Sequence, residues 1–389
     1  MREIWFWQCI VSPHMAALAV VLAKRGYRVV YVAEREMSES RARMGWRSPD
    51  LPGVDLRLAA TAVDMERLAY EAPQTAHHLF QGLRGNDWLA VAQRVLRRRG
   101  VRFWVVMEAV TDAGWRGCLK RTVYRVLFRR WRAYLQGVLA IGGGSGEWVV
   151  ARGMSVGRVF PFAYFLSSQV MDKEMEGGAH GTPDPGHARD DGIVRILYAG
   201  QLIARKRVDL LIDALASLKQ AGADAFHLEV VGDGPCATAL REQAARALGD
   251  RVAWIGSLPM AAVRRRMAEA DCLVLPSDFD GWGAVVSEAL MAGTPVFCSD
   301  ACGAAVAVRA SGAGGVFPAG DHAALASLLA QRIAQGRQSH TARETLAAWA
   351  RCLGAEAGAH YLEQILAYAE GRASRPLPPW QVVKSQVCA

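Results

Sequence analysis

One stretch limits the fold of this chain more than any other: Asp172 to Gly192, DKEMEGGAHGTPDPGHARDDG, a polar run rich in Gly, Pro and Asp. Such a composition sustains neither helix nor strand periodicity. On both sides of it, short apolar runs alternate with helix-periodic segments. Before it, strands are expected at Glu3 to Cys9, Arg28 to Ala33, Val54 to Leu58, His77 to Phe80, Val101 to Met107 and Val138 to Ile141, with a helix at Met15 to Lys24. After it, strands at Val194 to Ala199, Phe226 to Val231, Val252 to Ile255, Cys272 to Leu275 and Pro295 to Cys298 alternate with helices that include Val208 to Leu218 and Ala237 to Ala247. Strand–helix alternation makes a mostly parallel sheet covered by helices. The restart at Val194 favours two such sheets over one closed barrel. The expected fold class is α/β: two doubly wound Rossmann-like domains facing each other across a cleft. They would occupy residues 1–171 and 193–365, joined by 172–192, with a tail at 366–389 returning to the first domain.

The chain has 389 residues, 52% of them apolar, enough for two separate cores. Its eight cysteines, Cys9, Cys118, Cys236, Cys272, Cys298, Cys302, Cys352 and Cys388, contain no C-x-x-C pair and read as reduced thiols in a cytoplasmic protein. The start MREIWFWQC has no signal-peptide pattern, and the apolar stretch Met15 to Ala23 falls far short of the ~20 residues that span a bilayer. Charge is uneven. Residues 1–150 hold 23 Lys or Arg against 13 Asp or Glu, whereas the remainder holds 23 against 24. The first half therefore favours an anionic partner, such as lipid headgroups or a diphosphate-bearing acceptor.

Four loops following strands of the second half carry the chemistry. Pro276-Ser277-Asp278-Phe279-Asp280-Gly281-Trp282-Gly283-Ala284-Val285 leads from an apolar strand through a glycine turn into a helix bearing Glu288. A helix start offers unpaired N–H groups to a diphosphate, and the glycines permit close backbone approach. Gly200-Gln201-Leu202-Ile203-Ala204-Arg205-Lys206-Arg207 places three consecutive cations after the first strand, where they suit a departing diphosphate. Gly232 with Gly234, and Ile255 with Gly256, mark two further strand-end turns facing the same edge. In the first half, Ser12 and Pro13 suit a helix cap and first position, with His14 in the first turn, and Glu108 ends a strand. Either residue suits contact with an acceptor.

The segment Pro276 to Val296 resembles the family 4 retaining glycosyltransferases in its Pro-Ser, Gly-x-Gly, Glu-Ala and Gly-x-Pro-Val elements, with Asp280 in place of the first Glu of a Glu-x7-Glu signature. That resemblance implies a B-type two-domain fold and transfer of a sugar, with retention, from a nucleotide diphosphate donor to a saccharide acceptor, generally without a metal. No cofactor is expected beyond the donor substrate, and a lipid-diphosphate-linked acceptor of surface polysaccharide synthesis suits the family. By the same resemblance Lys206 with Arg205 would bind the diphosphate, Asp280 the donor sugar and Glu288 the ribose. Gly232, Gly234, Ile255, Gly256 and residues Gly281 to Val285 would line the nucleotide. Gln201 and Arg207 depart from the family's Arg and Gly. Competing readings are a nucleotide-sugar epimerase or hydrolase on the same fold, or a non-catalytic carbohydrate- or nucleic-acid-binding protein.

Arg116 to Arg132, RGCLKRTVYRVLFRRWR, has seven basic residues and no acidic one. As a helix it sets Leu119, Val123, Leu127 and Trp131 in one apolar stripe beside Arg121, Arg125, Arg129 and Arg132. It is expected to dock on an anionic membrane surface at the inner face of the cytoplasmic membrane; nucleic acid is not an expected partner, and the sequence leaves the oligomeric state open.

Overall fold

The computed structural model describes residues 2–38, 48–83, 87–108, 110–112, 114–167 and 192–382. The expected connection at 172–192 lies outside them, Gly192 excepted. The chain divides into two compact units. Unit 1 holds the residues up to Ser167 together with Leu353–Val382, and unit 2 the residues between.

Unit 1 is built on seven parallel strands: β1 (Glu3–Ile10), β2 (Arg28–Arg35), β3 (Val54–Leu58), β4 (His77–Gln81), β5 (Phe103–Glu108), β6 (Leu135–Ile141) and β7 (Val159–Phe162). They run in the order β3-β2-β1-β4-β5-β6-β7. Helices cover the sheet: α1 (Pro13–Lys24), α2 (Ala62–Glu71), α3 (Asp87–Arg98), α4 (Gly114–Trp131) and α5 (Ser145–Val150). Central strands lie buried on both faces, so they appear in the sequence as unbroken apolar runs. On one face Trp5 stacks on Trp7, Trp7 on Phe80 and Phe80 against Phe103, with ring centroids 5.5, 5.3 and 5.0 Å apart. The same core encloses His78, which accepts from Trp7 Nε1 at Nδ1 (3.3 Å) and contacts the Pro73 carbonyl through Nε2 (3.0 Å).

The chain re-enters unit 1 at Leu353. Its C-terminal helix Ala355–Ala369 lies against α1, where Arg25 pairs with Glu363 at 2.5 Å. Tyr361 donates to the Pro161 carbonyl at 3.0 Å, and Arg375 donates to the Val156 and Val159 carbonyls.

Unit 2 has six parallel strands: β8 (Val194–Ala199), β9 (Phe226–Val231), β10 (Val252–Gly256), β11 (Cys272–Leu275), β12 (Val296–Ser299) and β13 (Gly314–Phe317). Their order is β10-β9-β8-β11-β12-β13. The chain thus winds outward from β8 in one direction and from β11 in the other. Between these neighbouring strands the winding reverses, and the loops at their carboxyl ends lie side by side, the position at which doubly wound sheets bind ligands. The connecting helices include α6 (Val208–Gln220), α7 (Ala237–Ala247), α8 (Met260–Glu269) and α9 (Ala284–Met291).

Two strands depart from expectation by existing at all. β7 and β13 are edge strands. β7 carries Pro161, which an edge tolerates because one side of the strand needs no ladder hydrogen bonds. β13 opens on Gly314, where a Cβ would stand 2.0 Å from the Val296 carbonyl oxygen. Pro and Gly hid both from the periodicity.

Helix α4 corrects the expected apolar stripe. Leu127 and Trp131 pack against the unit 1 core beside Tyr124 and the fully buried Phe128, and the Trp131 ring meets Phe103 edge-on at 6.0 Å. Leu119, by contrast, is 60% exposed and joins Trp115 (73%) and Val126 (60%) in a different outward row. Arg121 is tied to the Asp112 carbonyl at 2.8 Å, while Arg116, Lys120, Arg125, Arg129 and Arg130 are exposed. Among the described residues no helix is long and apolar enough to cross a membrane.

Candidate functional site

In unit 2 the loop after β8 contains a single 3-10 turn, Ala204–Lys206, and the loop after β11 runs to the start of α9. Asp278 N donates to the Arg205 carbonyl at 2.9 Å, and the Arg205 guanidinium donates to the Phe279 carbonyl. Across this seam Lys206 Nζ meets Asp280 Oδ2 at 2.5 Å. Ser277 Oγ donates to the same oxygen at 3.2 Å, and Arg205 lies 3.9 Å from Oδ1. The Lys206 and Asp280 side chains are only 13% and 14% exposed, so solvent screens them weakly. Asp280 is further fixed by its backbone, whose N–H donates to the Ala301 carbonyl and whose carbonyl accepts from Gly303 N.

Arg207 is the one non-glycine among the described residues with a left-handed backbone (φ 50°). It forms the N-cap of α6, and its guanidinium reaches Asp278 at 3.0 Å and Asp209 at 3.1 Å. A cavity of about 400 Å³ opens beside it, lined by Ile203, Arg205, Arg207, Leu240, Gln243 and Asp278. Neither Lys206 nor Asp280 lines that cavity. It borders the Arg207 clamp.

Three of the expected glycines are close-approach positions, but what approaches is the protein itself: backbone at Gly232 and Gly234, a side chain at Gly283. A Cβ on Gly232 would stand 1.9 Å from the Gly200 carbonyl oxygen, one on Gly234 2.4 Å from that of Leu202, and one on Gly283 2.8 Å from Cys302 Sγ. Gly232 N also donates to the Gly256 carbonyl at 2.8 Å, so the ends of β8, β9 and β10 are stitched into one edge. Trp282 is buried, with Nε1 donating to Ser287 Oγ at 3.0 Å. Its side chain holds the turn and presents no surface to a ligand. Gly281 is buried, whereas Ile255, Gly256, Ala284 and Val285 are half-buried along the edge.

Glu288 sits in α9 at 6% exposure. Burial raises its pKa above the ordinary carboxylate value, opposed by the positive charge of Arg264. Among the described residues no hydrogen bond reaches its carboxylate, so the group suits a ligand with hydroxyls to donate. The amides opening α9 have no side-chain cap, since Gly283 is its N-cap. They leave a partial positive charge next to Asp280 and the cations. Among the described residues no group of three or more His, Cys, Asp and Glu is placed to hold a metal ion.

His14 and Glu108 lie in unit 1. Ser12 occupies the N-cap position of α1 and Pro13 its first turn, but the Ser12 hydroxyl makes no cap bond; the Tyr31 hydroxyl fixes the segment instead, meeting Ser12 N at 3.2 Å and the Ile10 carbonyl at 3.3 Å. His14 stacks on Tyr164 with centroids 4.8 Å apart, and the Tyr164 hydroxyl donates to Glu108 Oε1. Tyr164 carries no signal in the sequence, because it lies in a loop with no strand or helix period.

The fold defined by these two units is that of the B-type glycosyltransferases. A structure of Anabaena Alr3699/HepE in complex with UDP superimposes with a TM-score of 0.70 over 95% of this chain and 100% of that one, at 16% identity. Residues 184–348, which contain all four loops, match the model of glycosyl transferases group 1. That finding replaces the family 4 assignment: the Pro276 to Val296 segment that suggested it lies inside the group 1 match. Among relatives, the amylovoran biosynthesis glycosyltransferase AmsK of Erwinia amylovora is 32% identical over 150 residues, 37% of this chain and 36% of that protein. The alpha-D-kanosaminyltransferase of Streptomyces kanamyceticus is 30% identical over 147 residues, 38% of this chain and 37% of its own. The chain thus spans little more than a third of the length of these relatives.

Proposed function

We propose that the protein is a glycosyltransferase that moves a sugar from a nucleotide diphosphate donor to a saccharide acceptor. The observation that carries this reading is the Lys206–Asp280 pair at the winding reversal of unit 2, inside the segment that matches glycosyl transferases group 1. A diphosphate bound there takes Lys206 as its counter-ion and leaves Asp280 to accept hydrogen bonds from the donor sugar. The bond from the anomeric carbon to the diphosphate breaks, the acceptor oxygen bonds to that carbon, and the acceptor proton passes to a donor phosphate oxygen. Arg205, Lys206 and the amides opening α9 stabilise the charge that grows on the leaving diphosphate. Glu288 receives the ribose hydroxyls, and the UDP held by the Anabaena protein of the same fold supports a nucleotide as the ligand.

The reading extends to retention of configuration, since the alpha linkage in the Streptomyces relative's name is what retention gives from an alpha-linked donor. The basic excess of the first half supports a lipid-diphosphate-linked acceptor at the inner face of the cytoplasmic membrane. The exposed Trp115, Leu119 and Val126 flanked by Arg116, Arg125, Arg129 and Arg130 support docking on anionic lipid. In the donor test, calorimetric titration with UDP, GDP, ADP and dTDP should find one tight nucleotide. Replacing Lys206 by Ala should weaken that binding and lower kcat by about 100-fold without loss of fold; unchanged donor kinetics would remove Lys206 from the site. For docking, vesicles with anionic lipid should sediment the parent, and a variant with Arg125, Arg129 and Arg130 changed to Gln should stay in solution. Equal sedimentation would refute the lipid surface alone.

A further inference from the structure

We infer that Tyr164, Glu108 and His14 form the subsite of unit 1 that binds a neutral sugar ring of the acceptor, with Tyr164 as the residue that positions the Glu108 carboxylate. This deepens the glycosyltransferase reading and rests on it. The three side chains come from separate parts of the unit: the first turn of α1, the last residue of β5 and the segment leaving β7. That segment is anchored at both ends. Phe162 is buried and stacks on Tyr361 at 6.1 Å; Phe165 is buried and packs so closely on Gly358 that a Cβ there would stand 2.3 Å from its ring. Leu166 pairs by backbone with Leu353 and Ala355 at 3.1 and 2.8 Å. The Tyr164 ring is therefore fixed before any ligand arrives, and stacking on His14 fixes the imidazole with it.

The chemistry of the group selects the ligand class. Glu108 is exposed, and one of its oxygens is held by the Tyr164 hydroxyl. Among the described residues nothing donates to the other oxygen, Oε2, and no cation pairs with the carboxylate. A carboxylate oriented by a phenol has no cation beside it to attract an anion. It repels a phosphate and accepts hydrogen bonds from hydroxyls. The subsite thus suits the hydroxyl-bearing ring of an acceptor, not its diphosphate.

The test measures steady-state transfer from the nucleotide sugar that the parent binds to the best substrate in a set of p-nitrophenyl glucoside, galactoside, mannoside and N-acetylglucosaminide. Tyr164→Phe keeps the ring stack and removes only the hydroxyl; it should raise the acceptor KM about tenfold, the effect of one lost hydrogen bond, and leave donor KM and melting temperature unchanged. Glu108→Gln should act in the same direction. Tyr361→Phe, which loses a bond to the Pro161 carbonyl, should lower the melting temperature without raising the acceptor KM. Acceptor KM values within twofold of the parent in both Tyr164→Phe and Glu108→Gln would overturn the subsite and spare the donor reading. A parent that binds donor but transfers to none of the glycosides would likewise overturn the subsite and spare the donor reading.

Discussion

Arg207 occupies a conformation that costs glycine nothing. Its left-handed backbone is unfavourable for an L side chain by about 1 kcal/mol, yet the guanidinium gained there ties the loop after β8 to Asp278 in the loop after β11. Alanine at this position keeps the strained backbone and loses the clamp, whereas glycine relieves it. Urea denaturation should therefore rank Arg207→Gly above Arg207→Ala by about 1 kcal/mol, and both should raise donor KM; equal stabilities would show that the backbone there relaxes. Glu288 makes a separate prediction. Its buried carboxyl has a raised pKa, and ribose hydroxyls donating to it would favour the ionised form, so nucleotide binding should release protons at mildly acidic pH. Calorimetry with the tightest-binding nucleotide in buffers of different ionisation enthalpy should detect that release in the parent and lose it in Glu288→Gln. Lys206, Asp280 and Glu288 were legible in the sequence because each belongs to a motif after a strand. Tyr164 was not, since its partners are joined to it only by folding.

The central strands were equally legible, because burial on both faces leaves no polar alternation to confuse them. Helix α4 was legible as a helix but not in its orientation. Aromatic and aliphatic residues lie all round it, and which row meets the sheet is decided by Phe103, Phe128 and Trp148, not by period. The unit 1 sheet also carries a pH dependence. Burial depresses the pKa of His78 from 6.5 to about 4. The folded state holds this imidazole neutral, while the unfolded chain protonates it below its ordinary value, so protonation favours unfolding. Stability should be complete above pH 6.5 and drain away toward about pH 4, by roughly 3 kcal/mol for a shift of this size. Melting curves from neutral pH downward should show a steeper acid loss in the parent than in His78→Gln, measured from each protein's own neutral value. Parallel losses would exclude His78 as the source.

For the molecule as a whole, charge and chemistry are divided between the units. Unit 1 carries the basic excess, the exposed row of α4 and the Tyr164 group, while unit 2 carries the cations, carboxylates and helix start that suit a nucleotide sugar. This division is what a transferase needs and what a hydrolase or a simple binding protein does not. The measurement that tests it most directly is mass spectrometry with NMR of the products formed from the nucleotide sugar the protein binds, with and without a saccharide acceptor. A new glycosidic bond with retained configuration and one equivalent of nucleoside diphosphate should form only when acceptor is present, and about 100-fold more slowly in Lys206→Ala. Free sugar released at the same rate with or without acceptor, or an isomerised sugar still attached to its nucleotide, would contradict it.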